Sequence, residues 1–371
     1  MQNYVHRTRE SAVNAQDGEL TLAVCGTCGF AWNRTFEPDR LLYDEGYDNA
    51  VPSSVMRAYY EEIAAYLRDR YALDGGLIVD VGCGDGGFLR AICNAVPGLR
   101  GIGVDPALQA SSSEQDGRIV LIKDVFGSEV IREHPSLVVS RHVLEHIPQP
   151  VEFFRVIREA LDAFEPCPCF FEFPDLEWIL RNDAFWDFGY EHCNYFTAPS
   201  ATEALGRAGY GAVNTRAEFG SQYLWVEALS RGDQTMSSAS SRQGLSERTR
   251  AYAEAEAARI ERVRSRLNAL KSDGHAIAVW GIATKGVLFS LLIDPRAELI
   301  DFCVDVNPNK SGCYVPLTGH LISPPEVLAQ DQGERELAVL VMNENYVDEI
   351  RRTCRDLRIE ATFVDANADP V

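Results

Sequence analysis

Apolar residues along the chain fall into two recurring patterns. Short apolar runs occupy Leu77–Val81, Leu99–Val104, Arg118–Ile122, Leu137–Ser140 and Cys169–Phe173. Runs of about four to eight such residues, bounded by turn formers, are the pattern of strands buried on both faces. Ser53 and Ser54 are N-cap residue types, and Met56, Tyr59, Ile63 and Leu67 follow them at helical spacing. Strands that alternate with helical stretches predict βαβ units and a parallel sheet. The pattern breaks at Arg231–Arg242, which is rich in Ser and polar residues, and resumes as a helix of good formers over Leu245–Lys271. A second series follows with strands at Ala276–Trp280, Leu299–Asp305 and Leu337–Met342. The reading is an α/β protein in four parts: a polar head (1–52), a central α/β domain (53–230), a linker and helix (231–273) and a second α/β domain (274–371).

Composition changes this picture little, and charge narrows it. The chain has 371 residues and is 46% apolar, ordinary for a globular protein of two or three domains. Its 35 basic and 55 acidic residues leave a net charge of −20, which repels phosphate backbones and anionic lipid. Nucleic acid and membrane surfaces are therefore not expected partners, and a small-molecule substrate is. Met1–Glu19 lacks the apolar core of a signal peptide, and no run of about 18 apolar residues occurs. Ten cysteines, several in strand-like surroundings such as Cys83 and Cys303, suit a reducing compartment. The expectation is a cytoplasmic protein, either a monomer or a homo-oligomer.

The most informative stretch is Asp80-Val-Gly82-Cys-Gly84-Asp-Gly86, directly after the first buried strand and before a helix. Glycines there allow a ligand to approach the backbone, and the helix start supplies free N–H groups. The spacing is tighter than the G-x-G-x-x-G of a dinucleotide fold. Asp80 lies within the strand, where a carboxylate can accept from an ammonium group. Asp105 ends the next strand, where a carboxylate can hold both hydroxyls of a ribose. Asp124, with Val125 beside it, follows the third strand and can meet the amino edge of an adenine.

This constellation resembles the class I S-adenosylmethionine-dependent methyltransferases. The resemblance implies a Rossmann-like core with S-adenosylmethionine as cofactor. It places Gly82, Gly84 and Gly86 against the cofactor, Asp105 at the ribose and Asp124 and Val125 at the adenine. After the fourth strand, His142-Val-Leu-Glu145-His146-Ile is similar to a segment of that family, so His142 is expected at the cofactor.

Further on, Tyr190-Glu191-His192-Cys193-Asn194-Tyr195-Phe196 gathers polar and aromatic groups. Together with the second α/β unit, it resembles the sugar C-methyltransferases, which act on nucleotide-linked keto-deoxysugars. The resemblance implies His192 as the general base, with Glu191 and Tyr190 nearby, His146 as a second candidate and Tyr195 toward the substrate. Imidazole titrates near 6.5, so it can take a proton at neutral pH. Methylation of another small metabolite at O, N or C is the alternative reading.

Two further features bear on the substrate and on metal. Relatives in that family carry zinc-binding cysteine knuckles, but here only Cys25 and Cys28 precede residue 80. His6 would make a third ligand, and tetrahedral zinc needs four. Tyr43 and Tyr47 lie in a polar stretch that suits either a substrate lid or a solvated loop. In the second α/β unit, Gly281-Ile-Ala-Thr-Lys285 lacks the dinucleotide pattern. That unit is expected to shape the substrate pocket or an oligomer contact, with Lys285 as an anion contact. A diphosphate needs local cations against the mean field, and Arg141, Arg181 and Lys285 are the first candidates.

Overall fold

The computed structural model describes residues 3–41, 53–233, 244–330 and 335–371. The head contributes α1 (Arg9–Val13) and the strands β1 (Leu22–Val24) and β2 (Ala31–Asn33). The central domain opens with α2 (Ser54–Arg70), β3 (Gly76–Val81), α3 (Gly87–Ala95), β4 (Leu99–Val104), β5 (Ser112–Glu114) and β6 (Ile119–Ile122). It continues through β7 (Leu137–Arg141), α4 (Pro150–Ala160), β8 (Pro168–Pro174), α5 (Leu176–Arg181) and β9 (Asn194–Tyr195). It closes with α6 (Ala198–Ala208), β10 (Gly211–Glu218) and β11 (Tyr223–Leu229). The long α7 (Leu245–Ser272) leads into β12 (His275–Trp280), α8 (Thr284–Ile293), β13 (Phe302–Val304), β14 (Ile322–Ser323) and α9 (Val327–Gln330). The chain ends through β15 (Glu336–Val341), α10 (Val347–Asp356) and β16 (Thr362–Asp365).

The central sheet has the order β10-β11-β8-β7-β3-β4-β6-β5. Its five middle strands are parallel, as the alternating pattern predicts, while β10, β11 and β5 run antiparallel to their neighbours. The C-terminal sheet, β14-β13-β12-β15-β16, is parallel throughout. Numbered along each chain segment, the five parallel strands of both sheets follow one order, 3-2-1-4-5. Helix α2 begins where the sequence places it, with the Ser53 hydroxyl accepting from the amides of Val55 and Met56.

β13 is shorter than its apolar run. The Asp294 carboxylate takes the amides of Glu298, Leu299 and Ile300 at 2.8–2.9 Å, so ladder pairing starts only at Phe302. Satisfied elsewhere, those amides have no need of a neighbouring strand.

Several contacts join the parts. The apolar face that includes Ile179, Phe185 and Trp186 packs in one core with Val279 and Phe289 of the C-terminal domain. At the start of α2, the amide and hydroxyl of Ser54 both donate to Glu349 Oε1 of α10 at 2.7 Å. The head pairs with the central domain through β2 and β9. It reaches the C-terminal domain where the Tyr314 amide donates to the carbonyl of His6. Among the described residues, no helix is long and apolar enough to cross a membrane. All ten cysteines are free thiols.

Candidate active site

In an open parallel sheet the carboxyl ends of the strands border the ligand crevice. Here the carboxyl ends of both sheets border the same one. A cavity of about 1720 Å³ is walled by Asp80, Asp105 and His142 from one sheet and by Trp280, Asp305 and Asn343 from the other.

The glycine loop forms the floor on the central side. Gly82 has φ +76°, and a Cβ added there would lie 2.2 Å from Cγ2 of Val143, so no other residue fits this bend unstrained. Gly84, at φ +55°, has no atom within 4 Å of where its Cβ would be. Its amide donates to Asp105 Oδ2 at 2.8 Å, and the Ala107 amide donates to Oδ1 at 2.7 Å. Each carboxylate oxygen has further lone pairs for a ligand's hydroxyls. Gly86 takes the N-cap position of α3 rather than the cavity wall.

Asp80 is buried at the cavity edge. Burial raises its pKa to about 7, Arg141 opposes the rise, and Asp105 adds to it. A buried carboxylate in this state is stabilised by an incoming cation.

Behind the wall lies a buried polar knot centred on Glu172. Arg141 Nε donates to its Oε2 at 2.6 Å, Trp225 Nε1 donates to Oε1 at 3.0 Å, and the Tyr59 hydroxyl donates to Oε1 as well. Burial would raise the Glu172 carboxyl, but Arg141 and His142 outweigh it and hold it at about 2. Arg141 also lies 4.6 Å from the Phe88 ring centroid. Its charge is therefore committed to the fold. His142 adopts φ +53°, and its ring sits between Glu145 at 3.5 Å and Glu172 at 3.4 Å. Burial disfavours its charge, yet the two carboxylates prevail and lift it to about 9.

His192 takes the opposite course. Burial, reinforced by His146, lowers it to about 3, so the ring is neutral at physiological pH. It meets His146 edge to face, with ring centroids 4.9 Å apart. His146 Nδ1 lies 3.0 Å from the carbonyl of Glu191. A carbonyl only accepts, so Nδ1 carries the proton. His142, His146 and His192 all line the cavity, as do Asp80, Gly82, Gly84, Asp105, Val125 and Lys285.

Other expected site residues lie elsewhere, which corrects their assignment. The Tyr190 hydroxyl accepts from the Glu37 amide at 2.9 Å, so the ring packs on the head. Glu191 is fully buried, and its Oε1 accepts from the Asn3 amide at 3.1 Å. Tyr195 belongs to the core and donates to the Gly189 carbonyl at 3.1 Å. None of these three lines the cavity. Asp124 is exposed, outside the wall, with Oδ1 taking the Val125 amide. Tyr43 and Tyr47 lie outside the described residues.

Among its described residues, the head does not fit zinc. Cys25 and Cys28 flank the tight loop between β1 and β2, where the Gly29 amide donates to the Cys25 carbonyl. Among the described residues, no third ligand joins them, and His6 instead meets Ser11 Oγ at 3.0 Å. Of the expected cations, Lys285 lies 2.6 Å from both Asp187 oxygens, and Arg181 sits outside the cavity against Glu177.

Two cavity residues escaped the sequence reading. Glu145 lies between the two quoted histidines, and its spacing from them gave the available clue. Lys310 is buried in the cavity wall, and its Nζ donates to the Ile282 carbonyl at 3.0 Å. It carried no motif.

Comparison with known proteins agrees with this geometry. A family described as a methyltransferase domain matches residues 55–215, and one described as a C-methyltransferase C-terminal domain matches residues 234–364. The C-methyltransferase NovU of Streptomyces niveus is 28% identical over 351 residues, covering 89% of this chain and 81% of NovU. Among solved structures, a putative O-methyltransferase from Nostoc punctiforme aligns at 15% identity and a TM-score of 0.37, over 47% of this chain and 56% of that one. CalO1, a methyltransferase in calicheamicin biosynthesis, aligns at 17% and 0.37, over 47% and 54%. The matched region thus spans little more than half of each of these two chains. The chain is a class I S-adenosylmethionine-dependent methyltransferase of the C-methyltransferase type.

Proposed function

We propose that this enzyme transfers a methyl group to a carbon atom of a nucleotide-linked keto-deoxysugar, with His192 as the base that generates the attacking carbon. The observation that carries the reading is the neutral His192 imidazole, opening onto a cavity shared by the glycine loop and the edge of the second sheet.

The residues present suit S-adenosylmethionine. Gly84 leaves backbone open where a side chain would stand, Asp80 offers a buried carboxylate to a cation, and Asp105 keeps lone pairs for ribose hydroxyls. When bound, the cofactor supplies an electrophilic methyl group on sulfur. An unactivated C–H next to a ketone is not nucleophilic, so the protein must first remove its proton. His192 takes that proton at its basic nitrogen and leaves a nucleophilic enolate carbon. His146, oriented by the Glu191 carbonyl, stands beside it. Burial costs His192 basicity in the resting state, but it also keeps the ring unprotonated and ready.

The far side of the cavity favours a diphosphate. Among the described residues, no ion pair involves Lys310, whereas Arg141 and Lys285 are matched to Glu172 and Asp187. A buried, uncompensated ammonium beside the start of α8 suits a phosphate oxygen. The test is product mass spectrometry with nucleotide-linked keto-deoxysugars. A gain of one methyl group, absent without S-adenosylmethionine, is expected. His192→Gln should abolish turnover while binding S-adenosylmethionine as the wild type does. Full turnover in that variant would exclude His192 as the base.

A further inference from the structure

Glu145, His146 and His192 each present one ligand-type atom, and these atoms lie within 4.8 Å of one another. Two of the residues carry buried atoms without a hydrogen-bond partner, Glu145 Oε2 and His192 Nδ1. Glu145 is only 2% exposed, and its other oxygen faces His142 at 3.5 Å. A buried carboxylate oxygen left bare forfeits its hydration with nothing in return, so such pairs of orphans call for an occupant.

The arrangement is also prepared in advance. The turn holding Glu145 and His146 is tied to the strand after His192, because Asn194 Nδ2 donates to the Leu144 carbonyl at 3.4 Å. The His146 proton is fixed on Nδ1 by the Glu191 carbonyl, which puts the ring's lone pair on Nε2. A backbone carbonyl holding the far nitrogen is how metal-binding imidazoles are commonly oriented.

We propose that Glu145, His146 and His192 form a binding site for a divalent first-row transition cation of the zinc or cobalt kind, separate from the cysteine head. Two imidazoles and one carboxylate suit such ions, whereas magnesium and calcium prefer oxygen alone. Three protein ligands with an open side toward the cavity leave room for water or a substrate oxygen. Ligand bonds of about 2.1 Å in a tetrahedron set ligand atoms about 3.4 Å apart, so the side chains need close by only about 1.4 Å at most.

The site does not depend on the base assignment, but it has a consequence for it. A cation on His192 occupies a lone pair, so occupancy and proton abstraction compete.

The experiment titrates the full chain, free of cofactor, with Co²⁺ by visible absorption and then displaces it with Zn²⁺. One ion per chain is expected, unaffected by a tenfold excess of Mg²⁺ and retained in a Cys25→Ser/Cys28→Ser variant. Glu145→Gln and His192→Gln should each weaken binding by about 100-fold or more, and His146→Asn is a second route should Glu145→Gln not fold. S-adenosylmethionine affinity reports whether each variant is intact. Absence of binding, loss in the cysteine variant, or full binding in both Glu145→Gln and His192→Gln would overturn the site. In a separate arm, Zn²⁺ should slow turnover in step with occupancy, and EDTA should restore it. Unchanged turnover at full occupancy would reject the competition alone, since only this arm rests on His192 being the base.

Discussion

Gly82→Ala tests whether the loop after β3 holds the cofactor by its backbone shape. At φ +76° an alanine pays about 1–2 kcal/mol for a left-handed backbone. Its Cβ would also fall 2.2 Å from Val143 Cγ2 and 3.2 Å from both Cβ and Cγ1. Valine is stiff at χ1, and forcing it off its rotamer costs about 0.5–1.5 kcal/mol. Relief therefore comes from the loop leaving its shape, at about 1.5–3.5 kcal/mol. At about 1.4 kcal/mol per factor of ten, S-adenosylmethionine binding weakens by about 10-fold to several hundredfold. Isothermal titration at 25 °C measures it directly. Combining Gly82→Ala with Val143→Ala removes the clash but not the backbone cost, so the double variant should recover part of the affinity. Binding by Gly82→Ala within twofold of wild type would refute the reasoning. So would a double variant that binds no better than the single one.

Three further outcomes follow from the site. Lys310→Met removes the uncompensated cation and should raise the KM for a nucleotide-linked substrate by about 10- to 100-fold, with the S-adenosylmethionine Kd unchanged; a charge-assisted hydrogen bond is worth about 1.5–3 kcal/mol. His142 stands at about 9 when folded, against an ordinary 6.5 when unfolded. Its stabilisation is complete below about pH 6.5 and is lost as pH rises through about 9. Urea midpoints at pH 6 and pH 9.5 should therefore converge in His142→Gln relative to wild type. Because His192 is held near 3, kcat/KM for the methyl acceptor, measured with S-adenosylmethionine saturating so that Asp80 stays ionised, should show no inflection at pH 6.5.

Much of the scaffold was legible because its physics is local. The buried runs became β3, β4, β6, β7 and β8, and the Ser53 cap and the glycine loop sit where spacing put them. The short strands β1, β2 and β9 escaped because two- and three-residue strands carry no period and β9 pairs with the distant β2, and the hairpin of β10 and β11 was missed as well. The polar cluster around His192 was read as one site because its residues are contiguous. Yet contiguous residues in a bend face different neighbours. Tyr190 and Glu191 turn to Glu37 and Asn3 of the head, and His192 turns to the cavity. Which neighbour waits on each side is a tertiary fact. The same holds for charge: Arg141 and Lys285 looked like substrate cations until their carboxylate partners, 31 and 98 residues away, were seen.

The meeting of two like-ordered sheets at one cavity also bears on concentration. Neither half encloses the cavity alone, so one wall must find the other before any ligand sees a complete site. Joined in one chain, that search is intramolecular, and a covalent connection sets a local concentration of the order of millimolar. Severed between β11 and α7, the halves at micromolar levels would have to associate by diffusion, exposing the apolar surface of Phe185, Trp186 and Phe289 while apart. Dilution alone would then silence an enzyme whose every residue was intact.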